Sequence, residues 1–404
     1  MDRRKLELYK GEAETELVSN ILDFWMRYVL DFESEGFNGR VSSDGTPDPK
    51  ADKGVLMAAR SLWTFSRAYN ALKDPEYLKS AGLLYDYIEK HFIDRENGGV
   101  YWLLDSEGRP KDTEKKIYGQ AFAIYGMAEY AKASGTKGPL NKALEIFELC
   151  EKHGRDLEYG GYIESRLADW SPNPVMKLSS REPEAPKSMN TNLHVMEALA
   201  CLYHHFPSEK LKEALLSEIK VFRDKIALSS GHLGMFFSMD WRLLSDHISY
   251  GHDIEASWLL DEAAGISGDA ALSADCGKSA LLLAETALKE AFDSDGGIIC
   301  EGNANGPILP HFKEWWAQPE GMVGFLNAYQ KTGNEIFLEK SLSLWEYSKK
   351  MLIRPEGGWY FYVGADGKTD KAKEIAGEWI CPYHNGRACI EISERINKLS
   401  INNY

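Results

Sequence analysis

Gly98-Gly99-Val100-Tyr101-Trp102 is one of six short glycine-marked segments that recur along this 404-residue chain. The others are Gly36-Phe37-Asn38-Gly39, Gly160-Gly161-Tyr162, Gly231-His232-Leu233-Gly234, Gly296-Gly297-Ile298 and Gly357-Gly358-Trp359-Tyr360. Counted from Gly36, the steps are 62, 62, 71, 65 and 61 residues. A near-constant period over the whole chain means one repeated structural unit, and each unit needs its neighbours to bury its apolar face. Length alone would suggest two or three domains. The repeat argues instead for one domain over 1–404, in which six units close a ring around a single pocket.

Between the glycine segments lie twelve amphipathic stretches with helical spacing. They fall near 14–31, 55–72, 75–92, 117–134, 138–153, 189–206, 209–226, 251–265, 272–291, 315–332, 335–351 and 381–397. In the first, Val18, Ile21, Leu22, Trp25 and Val29 form one stripe. Five connections are tight: Lys73-Asp74-Pro75, Lys137-Gly138-Pro139, Pro207-Ser208, Gly268-Asp269 and Gly333-Asn334. They carry the cap residues and early prolines that restart a helix. The long connections hold the glycine segments, and those at 102–109 and 360–367 read as β-hairpins. Alternating short and long connections predict an all-α (α/α)6 barrel of six helical hairpins, with short β-hairpins in the long loops at one mouth. The inner helices then begin near 55, 117, 189, 251, 315 and 381. Their N-termini open toward that mouth, where backbone amides favour oxyanions. An open solenoid is the alternative, but six units without a capping repeat favour closure.

Composition narrows the function. At 44% hydrophobic and 27% charged, the chain reads as an ordinary soluble protein, and its net charge of −15 disfavours nucleic acid. No apolar run reaches the roughly 20 residues of a membrane span. The charged start, Met1-Asp2-Arg3-Arg4-Lys5, does not look like a signal peptide. Six scattered cysteines without a Cys-x-x-Cys pair suggest reduced thiols and a cytoplasmic location. Eleven Trp and 20 Tyr supply flat faces that pack cores and also stack on sugar rings.

The first turns of the inner helices are unusually polar. Arg60 lies on the first, and Tyr118, Gln120 and Phe122 open the second. Asn190 and His194 open the third, His252 and Glu255 the fourth, Trp315, Trp316 and Gln318 the fifth, and Trp379, Tyr383 and His384 the sixth. Equivalent positions in a ring face its axis, so His194, His252 and His384 should converge. His91, His153, His204, His205, His232, His247 and His311 lie off that pattern and read as core or surface residues. His252 and Glu255 share a helix face, a spacing that lets a carboxylate fix a tautomer and raise proton affinity. Arg60, on an otherwise apolar face, reads as an oxyanion partner or a buried ion pair, and Arg387 as structural. Three His and a His-x-x-Glu could ligate zinc or iron, but no His-Glu-x-x-His is present. Neither a metal nor a cofactor is expected. Imidazole bases, a guanidinium and aromatic walls suit removal of a proton beside a sugar carbonyl, with Arg60, Tyr118 and Asn190 as donors to the developing oxyanion. Asp253, Glu255, Asp295 and Glu320 keep glycoside hydrolysis open, since that needs two carboxylates across the bond.

Six segments together carry a family likeness: Arg60–Ser66, Ile117–Tyr125, Lys187–Ala198, Gly251–Ala256, Lys313–Gln318 and Pro382–Asn385. In this order the chain resembles the N-acylglucosamine 2-epimerase superfamily over essentially its full length, and most closely its cellobiose-acting branch. The resemblance implies an (α/α)6 barrel and cofactor-free inversion of C2 in the reducing-end glucose or mannose of a β-1,4-linked disaccharide. Monosaccharide-acting relatives, mannose isomerase or N-acylglucosamine 2-epimerase, are the runner-up. It implies that His252 and His384 are the acid/base pair, with His194 assisting and Glu255 supporting His252. Arg60, Tyr118 and Asn190 would hold sugar oxygens, and Trp316 and Trp379 would contact the rings. The expected partner is the sugar itself, with no nucleic acid or membrane, and the chain a monomer or homodimer. Two departures, Asn192 in place of a frequent His and Pro319 after Gln318, are expected to alter the second sugar subsite.

Overall fold

The computed structural model describes residues 3–179, 182–303, 306–307 and 311–401; Met1 and Asp2 of the charged N-terminal stretch lie outside them. Twelve α-helices dominate: α1 (Arg3–Glu16), α2 (Val55–Leu72), α3 (Pro75–Tyr87), α4 (Ile117–Ser134), α5 (Lys137–Leu149), α6 (Met189–His205), α7 (Glu209–Val221), α8 (Tyr250–Ser267), α9 (Ala270–Glu290), α10 (Ala317–Thr332), α11 (Glu335–Met351) and α12 (Tyr383–Ile401). Even-numbered helices pack side by side in order, and α12 returns to α2, closing the inner ring. Odd-numbered helices form the outer layer. This is the expected (α/α)6 barrel. Among the described residues no helix is long and apolar enough to cross a membrane.

One feature of the hairpins differs from expectation. Five of the six are contiguous, but α12 pairs with α1, so the two ends of the chain build the sixth. Residues of α1 and of the turns after it also tie this hairpin to α11 and the loop that follows α11. Tyr9 meets Ser341 at 3.1 Å, Glu12 accepts from Trp345 and Lys349, and Asn20 Oδ1 accepts from Gly358 N. Helix thus begins at Arg3, well before the stripe at Val18, because its early turns are needed against α11 and α12.

Inner helices are buried nearly all round, and two glycines set their spacing. A Cβ on Gly126 would lie 2.6 Å from Ala59 O, and one on Gly324 2.6 Å from Ile254 O. Any larger residue would push α4 off α2 or α10 off α8. Four inner helices stop on a left-handed residue, Lys73, Gly135, Gly268 or Gly333, which turns the chain into its outer partner. Asp74, Ser208, Asp269 and Asn334 then cap the next helix through their side chains.

At the far end, the segment before an inner helix pairs with a strand of the following unit. Lys53–Gly54 pairs with Leu103–Leu104, Lys115–Lys116 with Ser165–Arg166, Lys187–Ser188 with Phe236–Phe237, His247–Ser249 with Glu301–Asn303 and Lys313–Glu314 with Tyr362–Val363. These antiparallel ladders gather every long loop at one mouth, here called the front. Leu103–Leu104 also pairs with Pro110–Asp112, forming the hairpin expected at 102–109. Three of the lysines are buried and bridge back to an aspartate ahead of a glycine segment: Lys115 to Asp94 at 2.7 Å, Lys187 to Asp156 at 2.6 Å and Lys313 to Asp293 at 2.8 Å.

Candidate active site

The front mouth leads to a cavity of about 510 Å³. Of the twelve side chains expected at the site, ten line it: Arg60, Tyr118, Asn190, His194, His252, Glu255, Trp315, Trp316, Trp379 and His384. They come from the first turns of inner helices or the residues just ahead of them. Six helices pointing their N-termini at one axis bring these positions together. Ser188 and Ser249 cap α6 and α8 and so fix where Asn190, His194 and His252 begin.

All three histidines are held by the same ring nitrogen. His194 Nδ1 lies 2.8 Å from Glu197 Oε2, His252 Nδ1 2.6 Å from Ser249 Oγ, and His384 Nδ1 2.7 Å from Glu320 Oε1. Each keeps Nε2 for the cavity. A carboxylate on Nδ1 holds the proton there in His194 and His384, which leaves Nε2 with a lone pair. The Trp316 ring contacts both His252, at 4.6 Å between centroids, and His384, at 5.6 Å. Burial holds all three imidazoles below their ordinary pKa. The other imidazoles add to this at His252, and Arg60 and Arg387 at His384. Near neutral pH they are uncharged and able to accept a proton.

The cavity floor is a buried ion cluster. Arg387 Nη1 donates to Glu197 and to Tyr383 Oη, and Nη2 donates to Glu255 Oε1 and Glu320 Oε1 at 2.7 Å each. Tyr383 Oη donates to Glu197 Oε2 at 2.6 Å, and Trp258 Nε1 to Glu320 Oε2 at 3.1 Å. Burial pushes Glu197 up, but Arg387, His194 and Tyr383 outweigh it and bring the carboxyl to about 2. Glu255 is driven the other way by burial and by Glu320 beside it. The expected pairing of Glu255 with His252 is therefore corrected: Glu255 turns to Arg387, and Ser249 is the partner of His252. Helical i,i+3 spacing permitted the contact, but a buried guanidinium across the ring was the stronger claim on the carboxylate. Glu255, Glu320 and His384 could in principle hold a cation, since their donor atoms lie within 4.8 Å of one another. Arg387 already bonds both carboxylates from that position.

Another wall of the cavity is built around Arg60. Its Nη2 donates to Tyr118 Oη at 2.6 Å, and the guanidinium lies 4.1 Å from the Phe122 ring centroid and 5.0 Å from that of Tyr383. Arg60 Nε, Asn190 Oδ1 and Glu255 Oε2 are buried without a protein partner. Leaving such atoms unmet costs about 1–3 kcal/mol each, so their clustering marks where a polar ligand completes the bonding. Trp379, 37% exposed, stands at the rim against Tyr118 and Trp102.

Two expected residues do not reach the cavity. Phe122 is buried behind Arg60 and supports it. Gln318 spends its amide on the backbone, with Oε1 accepting from Ile298 N at 2.8 Å and Nε2 donating to Ile298 O at 2.9 Å. Gln120 clasps Val100 and Asn192 clasps Tyr162 in the same way, while Asp253 accepts from Leu233 N and His232. First-turn amides and acids at this repeat position hold the glycine segments against the barrel. Asn192 thus belongs to the scaffold and not to a sugar subsite. Pro319 sits in the first turn of α10, where a missing N–H leaves no helical bond unmade. Of the four carboxylates named for hydrolysis, Asp253 is fixed in its clasp and Asp295 lies 3.1 Å from Lys313; only Glu255 lines the cavity.

The sequence reading missed rim residues from the long loops: Glu182, His247, Phe361, Lys373 and Glu374. His247, which the sequence places among core or surface histidines, is one of them. It sits in the strand two residues before Ser249, so the strand-before-helix pattern was the available signal. A larger shallow cleft of about 980 Å³, between 93–98 and α5, is walled mostly by charged surface side chains such as Arg95, Glu96 and Lys142 and gathers no comparable chemistry.

The fold has known counterparts. The model of the N-acylglucosamine 2-epimerase (GlcNAc 2-epimerase) family matches residues 36–388. The chain is 40% identical over 388 residues to a cellobiose 2-epimerase of Bacteroides fragilis, an alignment that covers 96% of this chain and 99% of that protein. A solved cellobiose 2-epimerase from Bacillus thermoamylovorans superposes with a TM-score of 0.92 at 36% identity, covering 96% of this chain and all of that one. A D-mannose isomerase of Marinomonas mediterranea is more distant, at 24% identity over 394 residues, covering 93% of this chain and 95% of that protein.

Proposed function

Because the chain belongs to the N-acylglucosamine 2-epimerase family, we propose that it inverts C2 of the reducing-end glucose or mannose of a β-1,4-linked disaccharide, with cellobiose and glucosyl-mannose as the reference pair. It is a carbohydrate epimerase, an isomerase. Similarity to cellobiose 2-epimerases at 40% against 24% for a mannose isomerase favours the disaccharide.

The observation that carries the chemistry is the trio of uncharged imidazoles that share one cavity, each tied through Nδ1. In the proposed reaction the reducing-end ring opens, with His194 moving the proton between the ring and carbonyl oxygens. Nε2 of one member of the His252–His384 pair takes the proton from C2. The C2–H electron pair moves into the C1–C2 bond, and charge gathers on O1 as an enediolate. Arg60, with Tyr118 and Asn190, meets that charge, which is the largest stabilising contribution in reactions of this type. The other imidazole returns a proton to the opposite face of C2. Side chains supply every proton transfer. Trp316 and Trp379 stack the two sugar rings, and about 510 Å³ is within the range of small-molecule sites.

Proton NMR of cellobiose incubated with the protein in heavy water tests the proposal. The expected product is glucosyl-mannose with deuterium at C2 and the linkage intact. Free glucose would mean hydrolysis, and unchanged cellobiose would overturn the assignment.

A further inference from the structure

A second cavity, also of about 510 Å³, opens at the rear of the barrel, among the C-terminal turns of the inner helices. On its wall the side chains of Cys201, His205 and Glu129 bring one donor atom each within 4.8 Å of the other two. Cys201 and His205 are four apart on α6 and share a face; Glu129 faces them from α4. Glu129 Oε2 lies 2.9 Å from His205 Nε2 and 3.7 Å from Cys201 Sγ. For a tetrahedral zinc ion with ordinary bond lengths, neighbouring N, O and S donors stand about 3.3–3.6 Å apart. The two distances from Glu129 Oε2 are already within a few tenths of an ångström of that spacing, and the Cys201 and His205 donors lie within 4.8 Å of each other. The other carboxylate oxygen, Oε1, is fixed by Asn70 Nδ2 at 2.7 Å, which orients Glu129 as the outer partners of metal ligands do. Arg67, the nearby guanidinium, is engaged by Glu394 at 2.6 Å.

We propose that Cys201, His205 and Glu129 form a divalent transition-metal site, with zinc as the fitting ion, the fourth position open to the rear cavity. One thiolate, one imidazole and one carboxylate suit zinc or cobalt and do not suit magnesium or calcium, which take oxygen ligands. The cavity provides the entry path. On binding, the Cys201 thiol releases its proton to solvent, His205 presents the Nε2 lone pair, and Glu129 binds as the anion. The site is separated from the front cavity by the Arg387 cluster, Tyr383 and Trp258, so it does not depend on the reaction proposed there.

Cobalt(II) titration of the full-length protein after chelator treatment tests it. One equivalent should bind with a near-ultraviolet thiolate-to-cobalt band, release one proton and be displaced by zinc. Cys201→Ser, a near-isosteric change, should remove the band, and His205→Gln should weaken binding by about tenfold or more. Zinc should raise the melting temperature of the unsubstituted protein but not of the Cys201→Ser variant. Absence of the band, or a band that survives Cys201→Ser, would overturn the site.

Discussion

The front and rear cavities have the same volume, about 510 Å³ each, and share one floor, yet they are chemically unlike. The front receives the N-termini of six inner helices and the ladders of the long loops. There His194, His252 and His384 are uncharged, held by a single ring nitrogen, and set among Trp315, Trp316 and Trp379. The rear receives C-terminal turns and tight connections. Its wall carries mostly paired charges, such as Arg67 with Glu394 and Arg395 with Glu391. The same cylinder thus yields two environments, because a parallel ring of helices presents opposite ends to its two mouths. Orphaned polar atoms are more numerous at the front: Arg60 Nε, Asn190 Oδ1 and Glu255 Oε2 belong to front-lining residues, against Arg387 Nε on a rear-lining one. A site prepared for a sugar leaves hydrogen bonds for the sugar to make.

The sharpest way to break this comparison is to remove a front imidazole. His252→Asn and His384→Asn should each lower cellobiose turnover by about 10³-fold, within the usual range for loss of an acid/base group, while circular dichroism stays native. Full activity in either would remove that residue from the pair. Next in size is the shared floor. Arg387→Met leaves Glu197, Glu255 and Glu320 without their common cation and should destabilise the fold by about 3–5 kcal/mol. Denaturant unfolding measures this, and an unchanged midpoint would mean that the carboxylates are compensated from elsewhere.

Acid should act on the front imidazoles. The folded pKa values of His194, His252 and His384 lie below the ordinary 6.5. Below pH 6.5 the unfolded chain therefore takes up protons that the folded chain refuses, so stability from these groups is full above pH 6.5 and falls as pH drops beneath it. The melting temperature should decline between about pH 7 and pH 5, and less steeply in His252→Asn. The acid limb of kcat/KM should lie below 6.5 for the same reason. A flat melting profile would show that these imidazoles are not held uncharged.

Smaller effects separate scaffold from site. Gln318→Ala should cost about 1–3 kcal/mol of stability through the lost clasp on Ile298 and leave KM for cellobiose unchanged; a raised KM with unchanged stability would return Gln318 to the sugar. Glu394→Gln, at the rear, should shift stability by less than about 1 kcal/mol and leave epimerisation as it was. A large loss of turnover there would mean that the two mouths communicate.

The helix inventory was legible because inner and outer helices repeat a pattern of apolar positions, and ten of the twelve expected site residues were legible because equivalent turns of a ring share an axis. Phe122 and Gln318 sit at matching positions, but one turns behind Arg60 and the other into a loop. The rim residues Glu182, Phe361, Lys373 and Glu374 follow no helical period, so nothing in their spacing announced them. The buried Lys115–Asp94, Lys187–Asp156 and Lys313–Asp293 bridges do repeat along the chain. Their recurrence, like that of the glycine segments, is written in the sequence.

Sequence by itself determined a closed ring of twelve helices and the mouth at which its polar first turns meet, since both follow from local periodicity and connection length. Only the tertiary structure decided that a carboxylate from another helix holds His384 and that Glu255 turns away from His252 to Arg387. Glu320 reaches His384 across 64 residues and Arg387 reaches Glu197 across 190. Such pairings are chosen by competition among buried charges for the best-placed partner, and sequence spacing along one helix carries no information about the groups facing it from the others.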